Sequence, residues 1–236
     1  MKPLGIKAYG SIPHLIGSKL GPGDHHCHEG QHFICTEKTR DKNDLVIVQE
    51  KYDGSNVAIA KKDGKILSLT RRGYLASTSP FLQHQLFAKW VKDREGIFQD
   101  LLEENERLCG EWMLQAHGLR YSIIGNPIVF FDLFSGPKRL PYNDFAGRIG
   151  AHFSTPRILY IGYGECSINR ALQSLQYGKP HDVMCLEKPE GLVYRVERND
   201  NVDFLAKWVR ADFEPGRYLP EISGKGEVFN YPRVLI

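Results

Sequence analysis

Val48-Gln49-Glu50-Lys51-Tyr52-Asp53-Gly54-Ser55-Asn56-Val57 is the stretch from which the rest of this chain can be read. It continues an apolar run, Leu45-Val46-Ile47-Val48, whose length and β-branched content predict a buried strand. Asp53-Gly54 is a turn signal, and Val57-Ala58-Ile59-Ala60 resumes as a second strand, so the segment reads as a strand–turn–strand unit. Glu50 and Lys51 then stand at its mouth. A lysine held stiffly there suits a nucleophile better than a solvated surface role. Lys-x-Asp-Gly alone fits any exposed hairpin, so the reading depends on other phosphate-handling residues following in order.

Outward from this unit, Lys62-Asp63-Gly64-Lys65 is a hairpin turn signal, and Ile66 to Thr70 is a further strand ending in Arg71-Arg72-Gly73. Ser79-Pro80 predicts a helix cap with proline at the first helical position, and Leu82, Leu86 and Trp90 give that helix an apolar stripe. A second short helix is expected over Ile97 to Glu106. Leu108 to Leu114 and Ile128 to Phe134 read as strands joined through Gly118 to Pro127. Helices are expected over Asp144 to Phe153 and Ser167 to Tyr177, each opened by a capping residue, with a strand from Arg157 to Gly162 between them. Gly191 to Val196 and Phe204 to Val209 form another strand pair. Many strands, frequent hairpins and no regular strand–helix alternation predict an α+β domain with mainly antiparallel sheets.

At 236 residues the chain can bury a sizeable core, and 1–236 reads as one domain. It has an N-terminal His/Gly-rich segment (1–44) and a Pro/Gly-rich tail (211–236) that wraps the surface. With 42% apolar and 25% charged residues, the composition is that of a soluble globular protein. No apolar run is long enough for a membrane span, and Met1 to Lys7 lacks a hydrophobic signal core, so a cytoplasmic protein is expected. Cys27, Cys35, Cys109, Cys166 and Cys185 form no Cys-x-x-Cys pair, which favours free thiols in a reducing compartment. A net charge of +3 permits a local basic groove without demonstrating one. The window from Asp24 to Cys35 carries four histidines and two cysteines, but their bunching fits no common zinc finger. A partly mobile loop near the active site, its histidines within reach of phosphates, is the expectation there. Thr36-Glu37-Lys38 is a decoy for the lysine motif, because no glycine follows at the required spacing.

Glu50-Lys51-Tyr52-Asp53-Gly54-Ser55-Asn56 resembles the lysine motif of the covalent nucleotidyltransferases, the ATP-dependent ligases and messenger-RNA capping enzymes. It looks most like the RNA ligase 2 branch, where asparagine stands five residues after the lysine and DNA ligases carry arginine. Four more blocks follow in order over roughly residues 45 to 210: Thr70-Arg71-Arg72-Gly73, Gly110-Glu111-Trp112, Glu190-Gly191-Leu192-Val193 and Leu205-Ala206-Lys207-Trp208-Val209-Arg210, and Phe131, directly before Asp132, matches the family's stacking aromatic. The resemblance implies a nucleotidyltransferase (ATP-grasp-like) domain of two packed sheets enclosing a nucleotide cleft, with flanking helices.

The same resemblance implies the roles. Lys51 is the nucleophile, and Glu50, Asn56, Arg71, Glu111, Phe131 and Lys207 contact the nucleotide. Arg71 meets the ribose and phosphate, Glu111 the ribose hydroxyls, Phe131 stacks on adenine and Lys207 holds the α-phosphate. Glu190 and Glu111 support Mg²⁺ or Mn²⁺. Strand alternation sends Phe130 into the core and Arg72 away from the site. An amine attacks phosphorus only when unprotonated, so the site is expected to lower the lysine pKa from about 10.4, with Arg71, Lys207 and a metal ion as the cations. The last block departs from the family's Lys-x-Lys, with Leu205 and Val209 at the two candidate partner positions.

The resemblance implies an ATP-dependent RNA ligase that joins 3′-OH and 5′-phosphate ends, nicked duplex among them, through a lysyl-AMP intermediate. Only 29 residues follow Lys207, so no separate oligonucleotide-binding domain is expected. Grip on RNA would come from the core face, the N-terminal loop or a partner protein. Two alternatives remain: a non-sealing nucleotide- or RNA-end-binding module derived from a ligase, and a DNA ligase or capping-type nucleotidyltransferase.

Overall fold

Local chemistry sets the hairpins of this computed structural model, which describes residues 2–177, 181–232 and 236. In chain order the elements are α1 (Glu29–Thr36), β1 (Asp44–Lys51), β2 (Ser55–Lys62), β3 (Lys65–Thr70), α2 (Leu82–Lys92), α3 (Glu95–Leu101), β4 (Glu106–Trp112), β5 (Tyr121–Ile123) and β6 (Ile128–Ser135). They continue with β7 (Lys138–Arg139), α4 (Tyr142–Ile149), β8 (Ile158–Gly162), α5 (Ile168–Tyr177), β9 (Val183–Cys185), β10 (Gly191–Arg198), β11 (Asn201–Val209) and α6 (Pro220–Ser223). The β2–β3 turn has Asp63 at φ 50° and Gly64 at φ 69°, the left-handed pair that suits the twist of a two-residue hairpin. Glu104 accepts both of that turn's N–H groups. Asn199 and Asp200 do the same work between β10 and β11.

The strands form a four-stranded sheet in the order β11-β10-β1-β8, a five-stranded sheet in the order β3-β2-β4-β6-β7, and the small pair β5-β9. Every pairing is antiparallel, as the sequence predicts. One expectation is overturned: β1 and β2 do not pair. They belong to different sheets, and Tyr52 to Gly54 carries the chain from one to the other. The crossing is fixed from both sides. Asp53 accepts the Gly118 N–H at 2.6 Å, the Gly54 N–H donates to Glu111 at 3.1 Å, and the Tyr52 ring is buried. A Cβ at Gly54 would lie 2.5 Å from the Trp112 carbonyl oxygen, so only glycine fits this approach.

Each sheet has an outer face covered by helices. On the five-stranded sheet, Trp90, Phe87 and Phe98 of α2 and α3 pack with Trp112, Phe130 and Phe153 in an aromatic core. On the four-stranded sheet, Val46, Val48, Leu192, Tyr194 and Val196 meet Cys35 of α1 and Ala171 of α5. The inner faces oppose each other, and strand alternation gives them Gln49, Lys51, Leu205 and Lys207 from one sheet and Asn56, Glu111 and Phe131 from the other.

Helix boundaries differ from the sequence reading for identifiable reasons. Ser79 closes a 3₁₀ turn at Ala76–Thr78, and α2 starts after Phe81 with no side-chain cap. Its buried stripe is Gln83, Phe87, Trp90 and Val91, so Leu82 and Leu86 lie at the margin. α3 runs Glu95–Leu101, and α4 opens on Pro141 without a side-chain cap. The His-rich window holds the helix α1, where an irregular loop was expected. Two backbone bonds join the tail to the chain beyond β4: Ala116 donates to Val228 and Asn230 donates to Leu114; positions 233–235 lie outside the described residues. Among the described residues no helix is long and apolar enough to cross a membrane.

The two sheets are tied beneath the cleft by buried charge. Asp132 of β6, fully buried, accepts from Arg195 of β10 at 2.6 Å, from Arg139 at 3.0 Å and from the Tyr9 hydroxyl at 2.6 Å. Arg195 also donates to Glu197 at 2.5 Å. Removing Asp132 takes from Arg139 and Arg195 the carboxylate they share, leaving Arg195 with Glu197, in a dry interior. Asp132→Ala is expected to lower the unfolding free energy in urea by about 3–5 kcal/mol; a loss under about 1 kcal/mol would show that the link contributes little.

Candidate active site

Register brings the lysine and its carboxylate together. β1 ends with Lys51 paired to Gly191 at the start of β10, so Glu190 arrives beside the lysine. The Lys51 Nζ donates to Glu190 Oε2 at 2.7 Å. Gly191 is required here: a Cβ would lie 1.9 Å from the Trp208 carbonyl oxygen on β11. On the facing sheet, Asn56 of β2 and Glu111 of β4 are direct cross-strand neighbours, and Glu111 pairs in turn with Val129 of β6.

These side chains surround one cleft of about 830 Å³, its open mouth included. Lys51, Glu50, Asn56, Arg71, Glu111, Phe131 and Lys207 all line it, so every nucleotide-contact candidate read from the sequence reaches the same space. Glu190 joins through its bond to Lys51. Phe130 is fully buried in the core while Phe131 faces the cleft, as alternation requires. The Tyr9 ring meets Phe131 edge-on at 5.1 Å, which fixes the plane of the aromatic floor. Arg71 donates to Gly10 and Ser11 of the N-terminal strap at 3.4 and 3.2 Å.

The family model for RNA ligase matches residues 44–209. The chain belongs to the RNA ligase family. Solved structures with similar folds include a Naegleria gruberi RNA ligase variant with AMP and Mn, at TM-score 0.50 and 18% identity, covering 86% of this chain and 60% of that one. Another variant of that ligase, with ATP and Mn, has TM-score 0.49 and 19% identity, covering 72% of this chain and 51% of its own. An archaeal ATP-dependent RNA ligase has TM-score 0.47 and 19% identity, with coverages of 70% and 42%. The chain thus spans 42% to 60% of the length of these proteins. A sequence comparison with curated proteins gives no significant match.

In this cleft, the protein's own side chains by themselves run opposite to the expectation for the metal-bound site. The Lys51 pKa is raised, not lowered: burial pushes it down, but the Glu190 and Glu111 carboxylates outweigh burial. The resting amine is an ammonium. Burial pushes Glu111 and Glu190 up to about 7 each, with the Lys51 charge pulling both down in opposition. Glu50 also rises to about 7 by burial, against the pull of Arg157, whose Nε is 3.2 Å away. The cation whose pKa does fall is Lys207, through burial and then the neighbouring Lys51 charge.

Two carboxylates facing one ammonium are a suitable donor set for a hard divalent cation that keeps waters and substrate oxygens as its other ligands. Among the described residues no group of three or more His, Cys, Asp or Glu side chains gathers as a metal site. The Asn56 Oδ1 and Gln49 Nε2 atoms are buried without a hydrogen-bond partner, and both residues line the cleft. Such atoms are costly unless a ligand satisfies them.

Sequence reading missed Gln49, Tyr9, Val193 and Ile12 as cleft residues. Gln49 was within reach, because it sits two positions before Lys51 on the same strand face. Tyr9 and Ile12 lie in a segment without periodicity and carried no signal. If Glu190 holds the Lys51 proton, Glu190→Gln lets burial dominate and the amine pKa falls. At about pH 8, labelling of Lys51 by an amine-reactive reagent, read by mass spectrometry, is then expected to speed up at least roughly tenfold. An unchanged rate would contradict the assignment.

Proposed function

We propose that this chain is an ATP-dependent RNA ligase that carries AMP on Lys51. The observation supporting this reading is the convergence of five sequence blocks on one cleft around a single paired lysine. In the first step the Lys51 Nζ attacks the α-phosphorus of ATP, an N–P bond forms, and the bond to pyrophosphate breaks. The amine must first give up its proton. Glu190 Oε2, 2.7 Å away on a carboxyl already pushed up to about 7, is the acceptor within reach. Lys207 and Arg71 hold phosphate oxygens, Glu111 and Asn56 take the ribose and phosphate edge, and Phe131 stacks on the base. A divalent cation, Mg²⁺ or Mn²⁺, held by Glu111 and Glu190 would supply positive charge against the amine's proton and the developing phosphate charge.

In the second step an oxygen of an RNA 5′-phosphate attacks the same phosphorus and the N–P bond breaks. An RNA 3′-OH then attacks the 5′-phosphate and displaces AMP. A second reading has one observation in its favour: Leu205 lines the cleft two residues before Lys207, so β11 presents a single ammonium there. That reading is an end-binding protein which is adenylylated but does not seal.

Incubation with ATP and Mg²⁺ is expected to raise the intact mass by one AMP, and Lys51→Ala is expected to stay unmodified. GMP in place of AMP would indicate capping chemistry. Sealing of a nicked RNA duplex supports the ligase, whereas adenylylation without sealing supports the second reading. Phe131→Ala is expected to raise the KM for ATP about tenfold, from loss of stacking worth roughly 1–3 kcal/mol; an unchanged KM removes Phe131 from the base site.

A further inference from the structure

β11 is an edge strand of the four-stranded sheet, and the N-terminal segment completes it. Lys207 donates its backbone N–H to Pro13 at 2.9 Å and accepts from Leu15 at 2.8 Å, so residues 13–15 run as an added parallel strand. Residues 25–27 pair on the far side of that strand through His14. Between the two lies a tight loop in which Asp24 donates its N–H to Gly21 and takes the Gly21 N–H on its own carboxylate, each at 3.1 Å. This fold-back returns the Asp24 carboxylate to the side chain of Lys207.

The two carboxylate oxygens have different partners. Oδ2 lies 3.0 Å from His14 Nε2, and Oδ1 lies 3.6 Å from the Lys207 Nζ. His14 is 2% exposed, and its Nδ1 lies 2.6 Å from the Ser18 hydroxyl, which accepts the Val209 N–H at 2.9 Å. A chain of contacts therefore runs from the backbone of β11 through Ser18 and His14 to Asp24, then back to the side chain of β11's lysine. The last link is long enough to leave the ammonium's protons for a ligand. Without it, Glu190 would be left to oppose the repulsion from Lys51 and Arg71. Its neighbour on the cleft side of the strand, Leu205, is apolar and cannot orient it, and Val209 packs into the core.

We propose that Asp24, backed by His14, is a positioning residue that aims the Lys207 ammonium into the cleft. The inference rests on the proposed role of Lys207 at the phosphate, and it assigns the N-terminal segment a part in the chemistry. The charged groups acting on Lys207 are Asp24 on the N-terminal loop, Lys51 on β1, Glu190 before β10 and Arg71 after β3. Asp24 and Glu190 favour its charged form; Lys51 and Arg71 oppose it.

The test uses Asp24→Asn and Asp24→Glu in the full chain, with unfolding midpoints measured alongside. Single-turnover adenylylation by ATP is expected to slow about tenfold in Asp24→Asn, the scale of one hydrogen bond to a charged group, and to recover in Asp24→Glu. In a Lys207→Ala background the Asp24→Asn change is expected to have no further effect; independent, multiplicative losses would overturn the proposal. A second readout needs no nucleotide. Losing Asp24 removes a charge that favours the Lys207 ammonium, so Lys207 should react faster with an amine-labelling reagent in Asp24→Asn, and an unchanged rate would also overturn it. Wild-type protein that takes up no AMP would contradict the proposed function, while the labelling result still decides the positioning role.

Discussion

The ion pair between Lys51 and Glu190 is the constraint around which this molecule is arranged. It forms at the junction where β1 ends and the chain crosses from one sheet to the other. The β1–β10 register delivers the glutamate, and Gly191 lets β10 approach β11 closely enough to hold that register. Gly54 does the corresponding work on the other side, where its N–H binds Glu111. Two glycines and two glutamates thus fix one lysine between two sheets.

Opposed forces decide the state of that lysine. Burial alone would lower its pKa, and two carboxylates more than offset that. The same burial raises both carboxyls to about 7, so the groups that face the ammonium are themselves close to neutral pH in their titration. A ligand that brings phosphate and positive charge into this space has leverage over where the proton sits. The buried, unpartnered atoms of Gln49 and Asn56 point to the same conclusion, since a cleft completed by its own side chains would not leave them unsatisfied.

Much of this was legible from sequence because strand alternation is a strict rule. Once Lys51 faces the cleft, Gln49 does too, and Phe130 and Phe131 must part company. The antiparallel character followed from hairpin signals such as Asp63-Gly64. The β1–β2 relation was misread because Asp53-Gly54 signals a turn without saying which sheet the chain enters afterwards. That choice is made by Gly118 and Glu111, more than fifty residues away. The raised Lys51 pKa was missed for a related reason. Motif spacing names the carboxylates but not the 2.7 Å approach of Glu190 to the resting amine. The N-terminal segment has no periodicity because it is organised by pairing with β11, so neither Tyr9 beneath Phe131 nor Asp24 beside Lys207 had a local signature.

The most direct measurement is peptide mapping of protein incubated with ATP and a divalent cation, with fragmentation spectra locating any AMP. AMP on the Nζ of Lys51, stable in alkali and lost in acid as a phosphoramidate should be, is the predicted result. AMP on Lys207 or another residue, with Lys51 unmodified, would contradict the account.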